Sequence, residues 1–594
     1  MDKMPGARKL KEGYSFRVWA PNANEVYLAG TFNKFSPEAT PMQQKDGYWE
    51  VTVPGAKEGD EYKYRLVTEK GELYRKDPYS KVITDKTNNS VLAPGGGEKK
   101  SGFKMPDINE LVIYELHIGT FLKESLKKEP GTFDSALKKL EYLKALGINC
   151  IEIMPVAEFA GDYSWGYNPS NIFAIETAYG TKDEFHKLIE KAHSMGIAVL
   201  VDVVYNHLGP GDLDLWQFDG WSENGKGGIY FYNDWRSKTP WGETRPDYGR
   251  KEVREYLRDN ALFWFREYNI DGLRWDATNF IRNAEGLNDG GEKDIPEGWS
   301  LMSWINDEVH KEFPFAVMIA EDMQDNAFIT KGTKDGGAGF DAQWDSRFVQ
   351  AVRKTLISAE DEQRDLTLIK DSLMHRYYLD AFERVIYTES HDEVANGKAR
   401  VPEEVQPGKA SNYFARKKSA LGGAMVLTSP GVPMIFQGQE FLEDDWFHDE
   451  DPLDWSKASK FSGILDLYKA LIKLRLNKEG QTRGLCGQNI EVVHLNDQDN
   501  MICFHRWEEK KPGDSVMVIV NFSAEAYLEY RTGFPLEGKW KVMFNSDDKK
   551  YDDTFSGVST QDIRTVREEA DGREFSANVS IGPYSAVIFS YQGT

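Results

Sequence analysis

Between about residues 110 and 475, eight short apolar segments recur with helical patterns between most of them. In order they are VIYELHIGTF, INCIEIMPV, IAVLVDVVYNH, IDGLRWDA, FAVMIAED, DAQWD, RVIYTESH and GVPMIFQG. In the intervening FDSALKKLEYLKALG, Leu137, Leu140, Leu143 and Leu146 recur at near-helical spacing, and Gly147 suits a helix C-terminal cap. KDEFHKLIEKAHSMG and KEVREYLRDNALFWFREYN read as two further helices. Strands in βα repeats run parallel, because each helix carries the chain back to the same end of the sheet. An open doubly wound sheet is the competing arrangement. The strand count favours closure into an α/β fold, the (β/α)8 TIM barrel.

The flanks change period. YSFRVWA, EVYLAG, YWEVTV and YKYRLV alternate apolar and polar residues between Pro, Asn and Gly turns. They predict an N-terminal β-sandwich over residues 1–100, closed by the Gly- and Lys-rich linker APGGGEKKSG. The barrel domain is assigned to 101–480, with a short insertion after the third strand at about 207–250. EVVHL, MICFHRW, SVMVIVNFS, KWKVMFN and VSIGPYSAVIFSY predict a C-terminal antiparallel β-sandwich over 481–594. At 594 residues the chain is too long for one core, in line with several domains.

The formal net charge of −23 argues against DNA or RNA, whose binders need a basic face. A neutral substrate suits it better. The 16 Trp and 28 Tyr could bind sugar rings, although filling cores is their commoner use. Cys150, Cys486 and Cys503 are odd in number and widely spaced, with neither a disulfide framework nor zinc spacing. MDKMPGARKLKEGYSF lacks the apolar core of a signal peptide, so a cytoplasmic location is the expectation; a trimmed chain would read the same. No segment approaches the roughly 20 apolar residues needed to span a bilayer. Oligomeric state is not legible.

In a parallel barrel the site lies at the C-terminal ends of the strands. The third segment ends with Asp202, Asn206 and His207, and the fourth with Arg274 and Asp276. The fifth ends with Glu321 and Asp322, and the seventh with His391, Asp392 and Glu393. Each alone has a bland reading: an Asp after a strand is often a helix cap, an Arg a structural bridge, a His a satisfied polar group. Their convergence on one mouth, with acids outnumbering bases, suits glycosidic-bond chemistry. That chemistry needs one carboxylate at the anomeric carbon and a second, protonated, at the leaving oxygen. No GxSxG elbow supports a serine hydrolase, and no HExxH or CxxC supports a zinc site.

DVVYNH, DGLRWDATN, IAED and YTESHDE resemble, in order and strand position, the four motif regions of the α-amylase superfamily, glycoside hydrolase family 13. WGYNP and YGT match further patterns of that family. The resemblance implies Asp276 as nucleophile, Glu321 as acid/base and Asp392 as transition-state stabiliser. It implies Arg274 as orienter of the nucleophile, with His207, His391, Tyr167 and Trp165 as sugar contacts. Asp202 becomes a structural aspartate. Asn206 matches a position that binds structural calcium in many amylases, so no cofactor is required and a calcium ion is an open expectation. The N-terminal segment with Trp19, AGTFNKF and Trp49 is similar to carbohydrate-binding module family 48, and both tryptophans are expected in its core. The implied partner is an α-glucan: amylose, starch, glycogen or malto-oligosaccharides. Within the family the chain is most similar to 1,4-α-glucan branching enzymes and to malto-oligosyltrehalose trehalohydrolases. ESHDEVANGK tilts the reading to branching and DVVYNHLGPG to hydrolysis; a non-catalytic glycan-binding protein is the distant alternative.

Overall fold

The computed structural model describes residues 4–84, 87–93, 102–123 and 129–594. Most of the Gly- and Lys-rich linker expected before the barrel lies outside the described residues.

Eight parallel strands close into a barrel. They are β1 (Ile113–Leu116), β2 (Cys150–Ile153), β3 (Ala198–Val203) and β4 (Gly272–Trp275). They continue with β5 (Val317–Ala320), β6 (Ala342–Trp344), β7 (Arg384–Ile386) and β8 (Val432–Phe436). Each falls in its expected apolar segment. Every residue of all eight is buried, as parallel strands require when side chains fill the inside and helices cover the outside. The helix ring has one gap. Between β5 and β6 the chain forms only the 3-10 turn Thr333–Asp335.

The leucine-spaced stretch is two helices, Phe133–Leu137 and Leu140–Leu146, with the break at Lys138-Lys139. Leu140, Leu143 and Leu146 are buried, whereas Leu137 is only partly so. Gly147 does cap the second helix. At φ 106° its N–H donates to the carbonyls of Leu143 and Lys144, a left-handed geometry that disfavours a Cβ. Helix Lys182–Ser194 opens on a reciprocal Thr181–Glu184 capping box. Helix Lys251–Tyr268 ends on Asn269 at φ 57°.

The N-terminal domain packs a sheet of Gly6–Lys9, Tyr14–Trp19, Tyr48–Val53 and Gln43–Lys45 against one containing Glu25–Gly30, Glu61–Thr68 and Gly71–Arg75. Trp19 and Trp49 are both buried, and the Trp49 indole donates to the Ala20 carbonyl at 2.9 Å. Core, not sugar platform, is their role here. The domain seats on the insertion after β3. Asn22 donates twice to Asp219, and Arg75 donates to the carbonyls of Trp216, Gln217 and Phe218.

The C-terminal domain is a six-stranded sheet faced by the pair Tyr527–Phe534 and Phe575–Ile581. The expected single strand VSIGPYSAVIFSY splits. Phe575–Ile581 joins the small sheet and Ser585–Gly593 the large one, and Tyr584, at φ 42°, lies in the turn between them. The three cysteines are free. No helix among the described residues is long and apolar enough to cross a membrane.

Candidate active site

Strand register and alternation build the site. Asp276 directly follows β4, two residues beyond Arg274, and so continues the face on which Arg274 lies. Arg274 lies in register with Asp202 on β3 and with Ile319 on β5, two residues before Glu321. Arg274 is fully buried, and its guanidinium organises three carboxylates. Nη1 donates to Asp202 Oδ2 at 2.5 Å and to Asp276 Oδ1 at 3.2 Å; Nη2 donates to Glu321 Oε2 at 2.7 Å. The guanidinium lies 4.3 Å over the Trp344 ring, at the end of β6.

Asn206, from the end of β3, donates its amide to the Asp276 carbonyl at 2.8 Å and to Asp276 Oδ2 at 2.7 Å. Its amide oxygen meets His207 Nδ1. Both polar atoms of the Asn206 amide are thus engaged within the site. Among the described residues, no group of three or more His, Cys, Asp or Glu is placed to hold a metal ion.

Ala277 adopts φ 39°, ψ 54°, a left-handed conformation costing an alanine about 1–2 kcal/mol. This turn points its N–H at Glu321 Oε2, 2.9 Å away. Glu321 is thus fixed by the residue that follows Asp276.

The other expected residues gather at the same mouth. The Tyr167 hydroxyl donates to Asp202 at 2.6 Å, and its ring stacks on His391 at 4.8 Å and 20°. Trp165 meets His391 edge-on at 5.9 Å. His391 Nε2 lies 3.6 Å from Asp392 Oδ2, and the Asp392 side chain is 45% exposed, open to a ligand. Two acids stand apart. Asp322 is consumed by Arg282 at 2.7 Å, and Glu393 pairs with Lys398 at 3.0 Å.

Two site residues escaped the sequence reading. Glu115, on β1, holds His391 through Nδ1 at 2.5 Å and the backbone N–H at 3.1 Å. Glu152, its register partner on β2, is 1% exposed, with no hydrogen-bond partner at either oxygen. A carboxylate inside an otherwise apolar strand was the available signal.

Burial and neighbours set the protonation pattern. Burial raises Glu321 to about 8 against the pull of Arg274, and the Asp276 and Asp392 charges add to the rise. Burial also raises Asp276, opposed by Arg274 and the Asn206 hydrogen bond. Both carboxyls are thus pushed toward the protonated form, Glu321 to about 8. Burial takes His207 down to about 4, so it is neutral at pH 7. Burial works against a charged His391 too, but Asp392 and Glu115 overcome it and raise the ring to about 9. The mouth thus offers a Glu321 that holds its proton at pH 7 beside Asp276, whose rise Arg274 and Asn206 oppose, with one neutral and one charged imidazole.

Known proteins match along the whole chain. Residues 119–246 and 216–463 match the family described as alpha amylase, catalytic domain. Residues 492–592 match its C-terminal all-beta domain, and residues 5–80 match carbohydrate-binding module 48, the isoamylase N-terminal domain. A protein of Bacillus subtilis (strain 168) named 1,4-alpha-glucan branching enzyme is 31% identical over 91% of this chain and 87% of its own. One of the same name from Fusobacterium nucleatum is 29% identical over 99% of this chain and 96% of its own. Among solved structures, a pullulanase complexed with maltotetraose, from an Anoxybacillus strain, shares the fold. Its TM-score is 0.76 at 21% identity, covering 99% of this chain and 87% of that one. With this match spanning the barrel whose strand ends carry the carboxylate cluster, the chain belongs to the α-amylase family, glycoside hydrolase family 13, and is an enzyme of its hydrolase and transferase class.

Proposed function

We propose that the enzyme is a 1,4-α-glucan branching enzyme working through a covalent glycosyl-enzyme. Asp276 attacks the anomeric carbon of an α-1,4-linked glucosyl unit while Glu321 gives its proton to the departing 4-oxygen. The C1–O4 bond breaks and a C1–carboxylate bond forms on the opposite face. Glu321, now ionised, then takes the proton from the 6-hydroxyl of an acceptor chain. That oxygen displaces Asp276 and closes an α-1,6 bond with net retention. Asp392 and His391 hold hydroxyls of the ring as it flattens toward an oxocarbenium ion, and Arg274 with Asn206 keeps Asp276 ionised and aimed.

One observation carries the double-displacement reading: a single guanidinium bonds both Asp276 and Glu321. Carboxylates about 5–5.5 Å apart favour direct attack over the wider spacing that admits a water, and a shared guanidinium is compatible with that separation. Transfer rather than hydrolysis is supported by the relatives named as branching enzymes. Water in place of the 6-hydroxyl would give hydrolysis from the same intermediate. The test is incubation with amylose, following iodine stain and reducing ends together. Branching lowers the stain without new reducing ends and leaves isoamylase-sensitive branches. Reducing ends rising in step with stain loss would overturn the transfer reading in favour of an α-glucan hydrolase.

A further inference from the structure

A groove lies beside the catalytic mouth, between the insertion after β3 and the segment after β4. Its volume is about 820 Å³, and Trp235, Pro240 and Phe280 supply its apolar surface. Trp235 stays 52% exposed, with Lys293 5.2 Å from its ring centroid. An exposed indole face carries an unfavourable hydration cost that an apolar ring face removes on stacking.

Three features limit what can occupy this groove. The first is charge. In a chain of net charge −23, three lysines lining the groove balance three carboxylates. Lys226 pairs with Glu243, Lys293 with Glu285 at 3.1 Å, and Asp234 with Arg236 at 2.7 Å. With Asp234 taken up by Arg236, Lys238 is left over, so the surroundings of the groove carry at most one surplus positive charge. The second is a missing hydrogen bond. Ser237 is fully buried in the groove wall, and its hydroxyl has no partner among the described residues. A ligand hydroxyl reaches it only if the wall side chains shift, so it marks a polar spot inside the wall and not an open contact.

The third is proximity to the mouth. Phe280 meets Trp241 edge-on at 5.2 Å, and Trp241 stacks on His207 at 4.7 Å and 13°. His207 contacts Asn206, which bonds Asp276. Phe280 also sits in the short helix Thr278–Arg282, two residues beyond Asp276. The groove therefore neighbours the mouth across Phe280 and Trp241, although its own lining includes no residue of the mouth.

We propose that this groove is a glucan subsite in which Trp235 stacks against a glucosyl ring of a chain whose other end lies at Asp276 and Glu321. The proposal rests on the α-glucan reading above. It makes recognition depend on chain length, since only a chain longer than the cleft reaches Trp235.

Calorimetric binding to a Glu321→Gln parent, which leaves the sugar intact, tests it with maltotriose and with maltoheptaose. Trp235→Ala is expected to weaken maltoheptaose binding roughly three- to tenfold. Maltotriose binding should change less than about twofold, and Trp235→Tyr should restore most of the loss. Phe315→Ala, exposed and outside the groove, should bind both like the parent. Equal binding of maltoheptaose by the parent and Trp235→Ala would overturn the proposal. So would an equal loss for both sugars, or a loss that Tyr fails to restore. A parent that binds neither sugar would instead sink the α-glucan reading, and the groove assignment with it.

Discussion

Two buried ionic clusters in this chain are built on opposite balances. Where the barrel meets the C-terminal domain, Lys417 and Asp547 form a one-to-one pair at 2.5 Å, with side chains 1% and 0% exposed. Asp547 is further satisfied by Ser556 and by the Val558 N–H at 2.8 Å, and the Lys417 ammonium lies 4.3 Å over the Phe555 ring. At the barrel mouth, Arg274 and His391 face Asp202, Asp276, Glu321, Asp392, Glu115 and Glu152. One oxygen of Asp202 and both of Glu152 have no partner there. Even the matched pair does not fully offset its desolvation, since burial leaves the Lys417 ammonium below its ordinary value; the surplus of buried carboxylates at the mouth raises pKa values instead. The first arrangement serves docking. The second is the kind of strain that folds keep for chemistry.

The largest test of this contrast removes one of the two carboxylates proposed to react. Asp276→Asn or Glu321→Gln is expected to lower turnover on amylose by at least about 10³-fold while the fold persists. Stability should move the other way. Glu321 holds its proton in the folded state up to about pH 8, whereas an unfolded Glu loses it near 4.3. The folded state therefore binds more protons across that window, and stability falls as pH rises through it. Glu321→Gln keeps the neutral form at every pH. Its melting midpoint should exceed wild type by a margin that grows from pH 5 to pH 8. A margin independent of pH, or a variant with near wild-type turnover, would remove Glu321 from this role.

Next in size is the matched pair. Lys417→Met strands Asp547 without its cation, which costs about 3–5 kcal/mol at a buried site. The melting midpoint should drop while turnover per folded molecule holds. An unchanged midpoint would mean that the two clusters do not differ as described.

The sequence exposed the barrel because every strand carried its own apolar run, and it exposed the strand-end acids because closure sends all those ends to one mouth. It could not expose pairings that only closure creates. Glu115 and His391 are 276 residues apart, and β1 and β7 are brought together through β8. Glu115 and Glu152 passed as interior strand residues when only the strand ends were read. Asn206 was matched to a metal position by sequence order, yet its amide turns to Asp276. The break at Lys138-Lys139 hid under continuous leucine spacing. Strand Tyr527–Phe534 hid because Leu528 and Glu529 in its first half are both exposed, which blurs the alternation.

Glu115 gives a smaller test. His391 is faced by Glu115, Asp392, Arg274 and Tyr167, and its raised value of about 9 depends on the two carboxylates. Its folded value lies above the unfolded value near 6.5. The stability it contributes is therefore complete below about pH 6.5 and is lost as pH rises through 9. Glu115→Gln should bring the His391 ring titration, followed by NMR, down toward its ordinary value and flatten the stability change over that window. An unmoved titration would leave Asp392 alone in control.

The smallest effect is expected at Glu152, and it is the sharpest test of the comparison. Burial first, then the Glu115 and Asp202 charges, raise this carboxyl well above the ordinary range; Arg274 and His391 oppose the rise. With no hydrogen bond at either oxygen, nothing else favours the charged form. Glu152 should therefore be a neutral acid at pH 7, and Glu152→Gln should replace one neutral group by another of nearly the same shape. The expected change in stability is below about 1 kcal/mol, with turnover altered only slightly. Asp547→Asn should behave differently, because there the substitution discards a charge that Lys417 needs. Equal and large losses at both positions would mean that Glu152 is ionised and bound to Arg274 or His391. The mouth would then be a balanced cluster like the interface, and its carboxylate surplus would be smaller than the geometry implies.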